Sequence, residues 1–179
     1  IRSLDDMHQV LLAGAEKVSV NSLAVLHPEI IEEGAKAFGN QCIVLGMDAK
    51  RVGVSEKTPS GYEIYIKGGR SATGLDAVEW AKKAESLGAG EICLNAMDTD
   101  GVQNGYELEI TDKIARSVGI PVIASGGAGT PSHIVELFQK TAADAALVAS
   151  MVHFGTYSIG DIKQAMEKSK IPVRKPGRL

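Results

Sequence analysis

The feature that most constrains this chain is its rhythm. Short runs rich in valine, isoleucine and alanine alternate with longer amphipathic stretches, joined by brief polar or glycine-containing links. The spacing predicts helices over 3–14, 27–39, 74–90, 107–119, 132–142 and 159–169, and strands over 17–21, 42–50, 91–95, 120–125 and 144–150. Ser3 stands where a helix cap belongs, with Asp5 and Asp6 in the first turn, and Gly39 stands where a helix should stop. Strands separated by whole helices return to the same end of a sheet and so run parallel.

Side-chain alternation within the strands then selects the kind of parallel sheet. Lys17, Ser19 and Asn21 fall on one face of the first strand and Val18 and Val20 on the other; Glu91, Cys93 and Asn95 oppose Ile92 and Leu94 in the same way. An open doubly wound sheet is apolar on both faces. A barrel is lined by one face and covered by helices on the other, so the expected fold is α/β, a (β/α)8 barrel. The 20 glycines and an aromatic content of only 4% suit tight strand-to-helix turns better than a β-sandwich.

Composition narrows the function. A net charge of −3 gives no basic surface for nucleic acid or for a membrane. No apolar run approaches the roughly 18 residues of a membrane span, and no leader pattern opens the sequence. Cys42 and Cys93 sit in apolar runs without metal-type spacing, which predicts reduced core thiols in a cytoplasmic protein. No metal-ligand cluster or Ser-His-Asp arrangement is apparent; His8, His27 and His133 fall in or beside helices, and His153 reads as a surface residue.

Every strand ends in a polar residue, Asn21, Asp48, Asn95, Ser125 and Ser150, and Asn95 is expected among the residues that bind substrate. After the fourth strand comes "SGGAGTP", in which Ser125, Gly126 and Gly127 lead through Gly129 to Pro131 at a helix start. Glycines let backbone N–H groups approach an anion, and a helix start adds donors and partial positive charge, so this loop is expected to hold a phosphate. "ASMVHFG" on the next strand, with Ala149 and with Ser150 as the cap of a short helix, is expected to face the same anion. An internal echo, "GAEKVSVNS" (14–22) against "AADAALVAS" (142–150), suggests two similar half-barrels, with Asn21 and Ser22 serving a second phosphate. A ligand with a phosphate at each end follows. Between those ends lies Asp48, placed as a general acid or base or else as a structural partner of Lys50 or Arg51. Asp98 and Asp100 share the loop "NAMDTDGVQNGY", where one of them can be only a turn former.

Together "KVSVNS", "GMDAKR", "NAMDTDGVQNGY", "IPVIASGGAG" and "AALVAS…HF" resemble the cyclase subunit of imidazole glycerol phosphate synthase, the HisF family of histidine biosynthesis, in order along essentially the whole chain. The resemblance implies a bisphosphorylated substrate, a ribulosyl phosphate joined through a formimino link to aminoimidazole carboxamide ribotide. Ammonia adds, the link is cleaved and the imidazole ring closes, with no metal or organic cofactor. It further implies a glutaminase partner at the amino-terminal face of the barrel, with ammonia passing the charged residues matched by Lys17 and Glu91; a plain floor salt bridge is the alternative for that pair. Asp48 matches the active-site aspartate. Asp100 and Gly101, with Gly127 and Ser150, match one phosphate site, and Asn21 and Ser22 the other. Residues 51–74 match a hairpin over the mouth. Val102 stands where the family often has threonine.

An eight-stranded barrel takes about 250 residues, and five strands are counted. Residues 1–179 are therefore expected to be a single phosphate-binding barrel domain made of the five carboxyl-terminal βα units, a partial barrel lacking roughly the first three strands, inactive and poorly behaved alone. Two other readings share the barrel: the sister HisA-like isomerase, which needs no ammonia, and a non-catalytic phosphate-binding barrel.

Overall fold

The computed structural model describes residues 1–174. The chain opens with α1 (Leu4–Leu12), where Ser3 caps the first turn by accepting the Asp6 N–H, as its position in the sequence predicts. Next come β1 (Val18–Val20), a short α2 (Ser22–Leu26), α3 (Glu29–Phe38) and a 3-10 turn at Asn40–Cys42. The long β2 (Ile43–Arg51) leads to a hairpin of β3 (Tyr62–Ile66) and β4 (Ser71–Asp76). The remainder alternates: α4 (Ala77–Ser86), β5 (Glu91–Ala96), α5 (Leu108–Ser117), β6 (Val122–Ser125), α6 (Pro131–Lys140), β7 (Ala145–Ala146), α7 (Ser150–His153) and α8 (Ile159–Lys168).

Five strands are parallel, in the order β1-β2-β5-β6-β7. The first half of β2 pairs with β1 (Val18 opposite Ile43), and on the same edge its far end pairs with antiparallel β3 (Asp48 opposite Tyr65). The hairpin expected within 51–74 is thus built onto the sheet. Among the described residues β1 and β7 do not pair with each other.

Pleating separates the two faces as the alternation predicts. Ile43, Leu45, Met47, Ile92, Leu94, Val122 and Ala124 are buried under the helices in two clusters, one around β1, β2, β5 and α3–α5 and one around α6 and α8. The opposite face carries Ser19, Gly46, Asp48, Cys93, Asn95 and Ser125, none of them buried. Cys93 is therefore a half-buried thiol on the open face and not the core thiol expected, because it shares the pleat of Glu91 and Asn95.

Three boundaries also differ. The helix expected over 74–90 begins at Ala77, since Gly74–Asp76 continue β4 and the buried Asp76 caps the helix through the Val78 and Glu79 N–H groups. The strand expected over 144–150 is regular only at Ala145–Ala146, because it has a partner on one side alone. Ser150 is not a cap: it is the first residue of α7, Ala149 holds the cap position, and no side chain caps that helix.

Candidate active site

The carboxyl ends of β1, β2 and β5 lie side by side, and this converges three polar side chains. Asp48 is the register partner of Asn95, whose Nδ2 donates to Asp48 Oδ1 at 3.0 Å. From β1, Asn21 Nδ2 donates to Asp48 Oδ2 at 3.0 Å. Each carboxylate oxygen thus accepts one amide N–H and keeps further lone-pair capacity. The carboxylate is fixed in orientation and retains acceptor sites, the arrangement a general base needs. Donation to Asp48 fixes the Asn21 amide, and its Oδ1 is left buried without a partner.

Neither basic neighbour pairs with Asp48. Lys50 lies over the Tyr65 ring, 5.5 Å from its centre. Arg51 stacks 4.7 Å from the centre of the Tyr62 ring and reaches Glu107 at 3.2 Å and Glu109 at 2.7 Å. Of the two loop aspartates, Asp98 accepts the Arg51 backbone N–H at 2.8 Å and so pins the ends of β2 and β5 together. It is the structural member of the pair.

The hairpin tip closes over this group. Lys67, Gly68 and Gly69 all have positive φ, and the Lys67 N–H donates to Ser22 Oγ at 2.9 Å. A cavity of about 330 Å³ results, lined by Asp48, Asn95 and Asp100, by Gly68 and Gly69 of the tip, and by Met97.

Asp100 also lines a second, smaller cavity of about 80 Å³, together with Gly101, Ser125, Gly126, Gly127, Ala149 and Ser150. The sequence therefore anticipated seven residues that the fold brings together from three loops. Gly126 and Gly127 have φ of 93° and 105°, where side chains are strained. A Cβ on Gly127 would lie 2.0 Å from the Gly105 carbonyl oxygen, and the Gly105 N–H donates to the Gly127 carbonyl at 2.8 Å. Glycine here permits two loops to touch backbone to backbone. Gln103, which sequence reasoning missed, lines the same cavity and donates from Nε2 to Ser150 Oγ at 3.3 Å. It stands inside the quoted stretch "NAMDTDGVQNGY", but a glutamine in a polar loop carries no chemical signal of its own.

The internal echo has a backbone counterpart. Asn21 has φ −124° and ψ −94°, and Ala149 has φ −126° and ψ −90°; each precedes a serine that starts a short helix. Two strands 128 residues apart in the echo thus end in the same unusual turn. At the other end of the strands Lys17 Nζ pairs with Glu91 Oε2 across β2. Between this pair and Asn95, burial raises the pKa of the Cys93 thiol, helped by Glu91 and Asp48.

A further cavity, of about 680 Å³, lies between α6, β7 and α8 and is mainly apolar, with Phe138, Val148 and Ile162 in its walls. Among its polar lining residues Asp144 accepts the Val122 N–H and Lys163 donates to the Arg174 carbonyl. Among the described residues no group of three or more His, Cys, Asp or Glu side chains is placed to hold a metal, and no helix is long and apolar enough to cross a membrane. His133 is engaged through Nδ1, which accepts the Gly129 N–H at 3.1 Å.

Comparison with known proteins agrees with this geometry. Residues 1–158 match the family described as "Histidine biosynthesis protein". The chain is 65% identical over 175 residues to the imidazole glycerol phosphate synthase subunit HisF of Syntrophobacter fumaroxidans, covering 98% of this chain and 68% of that protein. It is 60% identical over 174 residues to the HisF subunit of Desulfatibacillum aliphaticivorans (97% and 67% covered) and 51% identical over 174 residues to that of Bacillus cereus (97% and 67%). The chain thus spans about two thirds of the length of these relatives. A clamped carboxylate and a glycine-walled cavity on parallel strand ends, joined to identities of this size, have one reading: the chain belongs to the HisF family of histidine biosynthesis proteins.

Proposed function

We propose that this chain carries the ammonia-using cyclase chemistry of imidazole glycerol phosphate synthase, and that its five parallel strands form part of a (β/α)8 barrel. One observation carries the reading: Asp100 lines both cavities, so the glycine-walled cavity and the one beside the clamped carboxylate share a wall. A substrate phosphate held at Gly101, Gly126, Gly127, Ala149 and Ser150 would set the glycerol end beside Asp48. The matching turn at Asn21 and Ser22 would receive the phosphate of the aminoimidazole carboxamide ribotide end. Asp48, held as an acceptor by Asn21 and Asn95, takes a proton from the attacking nitrogen as the imidazole ring closes, and returns it to the departing amine of the aminoimidazole carboxamide ribotide as the formimino link breaks.

Ammonia would enter from the opposite end, past the Lys17–Glu91 pair, from a glutaminase subunit docked at the amino-terminal face. The charged pair at the strand starts and the small and polar residues Ser19 and Gly46 beyond it support that direction. The site residues need no metal or organic cofactor for these steps, and we place the protein in the cytoplasm. The test is product formation from the formimino bisphosphate, with and without ammonium salt, by this chain complemented with the amino-terminal segment of a relative. Ammonia-dependent release of imidazole glycerol phosphate, abolished by Asp48→Asn, supports the assignment; isomerisation without need of ammonia refutes it.

A further inference from the structure

Gln103 holds an uncomfortable backbone for no reason internal to its loop. It is exposed and not glycine, yet its φ is 62°, a left-handed conformation that side chains disfavour. The neighbouring loop makes room for it: a Cβ on Gly129 would lie 2.2 Å from the Gln103 carbonyl oxygen and 2.8 Å from its Cβ. That posture sends the carboxamide across the small cavity, where its N–H rests on Ser150 Oγ at a long 3.3 Å. Strain kept at a cavity-lining position points to use of that side chain.

The charge inventory of the cavity gives the use. Its lining includes no lysine or arginine, and its one charged member is the carboxylate of Asp100. A phosphate bound there meets only neutral donors, backbone N–H groups and the side chains of Ser125, Ser150 and Gln103. Among these Gln103 supplies the only amide N–H from a side chain. We propose that Gln103 is a phosphate-contacting residue whose N–H, donated here to Ser150 Oγ, transfers to a phosphate oxygen when phosphate binds. The Ser150 hydroxyl, which only accepts from Gln103, keeps its own O–H to donate to the same anion, so one long neutral bond gives way to two charge-assisted ones. The inference rests on reading this cavity as a phosphate site.

The experiment is calorimetric titration of the chain with inorganic phosphate in sulfate-free buffer, with thermal unfolding of each variant alongside. Gln103→Gly removes the carboxamide and suits the left-handed backbone. It is expected to unfold at the same or a higher temperature and to bind phosphate about 10- to 100-fold more weakly, the loss of one hydrogen bond to a charged group. Gln103→Glu, which sets a second carboxylate against the anion, should bind more weakly still. Wild-type affinity in Gln103→Gly overturns the assignment, and so does a parallel fall in affinity and unfolding temperature, which would mark Gln103 as a loop support. Failure of the unsubstituted chain to bind phosphate overturns both this proposal and the phosphate reading, whereas unaltered binding in the variants removes Gln103 alone.

Discussion

Asp76 joins the hairpin to the helical layer, and its removal has a cost that can be worked out from its bonds. It is 5% exposed, and its two oxygens accept three backbone N–H groups: Val78 at 2.9 Å and Glu79 at 3.1 Å on Oδ1, and Ser60 at 2.7 Å on Oδ2. Replacing a cap aspartate by alanine costs about 1 kcal/mol, with a range of roughly 0.5–2. The third bond comes from a buried serine N–H that alanine leaves unpaired, a further penalty of about 1–3 kcal/mol. Asp76→Ala should therefore lower stability by about 2–4 kcal/mol, or roughly 5–15 °C in Tm for a chain of this size. Asp76→Asn keeps one oxygen for the helix start but turns an NH2 group toward the Ser60 N–H, so about 1–2 kcal/mol is expected. Urea unfolding followed by far-ultraviolet circular dichroism measures both. An alanine variant within about 0.5 kcal/mol of the parent would refute the reasoning, since that is the scatter of ordinary surface changes. Equal losses in the two variants would show that the negative charge, not the bonding geometry, matters.

Two more expectations concern the mouth and its supports. Asn95→Ala, tested in the complemented enzyme, should lower kcat about tenfold or more while leaving KM within about twofold, because the amide N–H is spent on Asp48; a raised KM at constant kcat would contradict this. Glu109 is held down to a pKa of about 2, from 4.5, first by its hydrogen bond from Lys113 and then by that from Arg51. A depressed carboxylate contributes stability that is complete above 4.5 and lost as pH falls toward 2. Glu109→Gln should therefore flatten the fall of Tm over that acid range, and an unchanged slope would show that the pair with Arg51 and Lys113 is idle.

Much of this was legible in the sequence because the strands state their own faces. Val18 and Val20 against Ser19, or Ile92 and Leu94 against Cys93 and Asn95, fix which side meets the helices, and the glycine pair at 126–127 announces a close backbone approach. What escaped notice depends on partners distant in sequence. Cys93 is the exception: its alternation with Ile92 and Leu94 already sets it beside Glu91 and Asn95, against the core reading of its apolar run. The clamp on Asp48 required β1 and β5 to flank β2, which no local pattern states. The end of β7 was overdrawn because alanine and valine promise a strand, whereas regular pairing needs neighbours. Gln103 needed the loop fold itself.

The division of each strand into a packed side and a chemical side carries a further consequence. In β2, Met47 and Ala49 anchor the core while Asp48 between them faces the mouth, so one pairing register settles both assignments. A slip by a single residue would drive a carboxylate into hydrocarbon and leave methionine at the proposed reacting centre. Misaligned chains therefore forfeit stability and reactivity together, and the hydrophobic layer acts as a proofreader for the catalyst printed on its reverse.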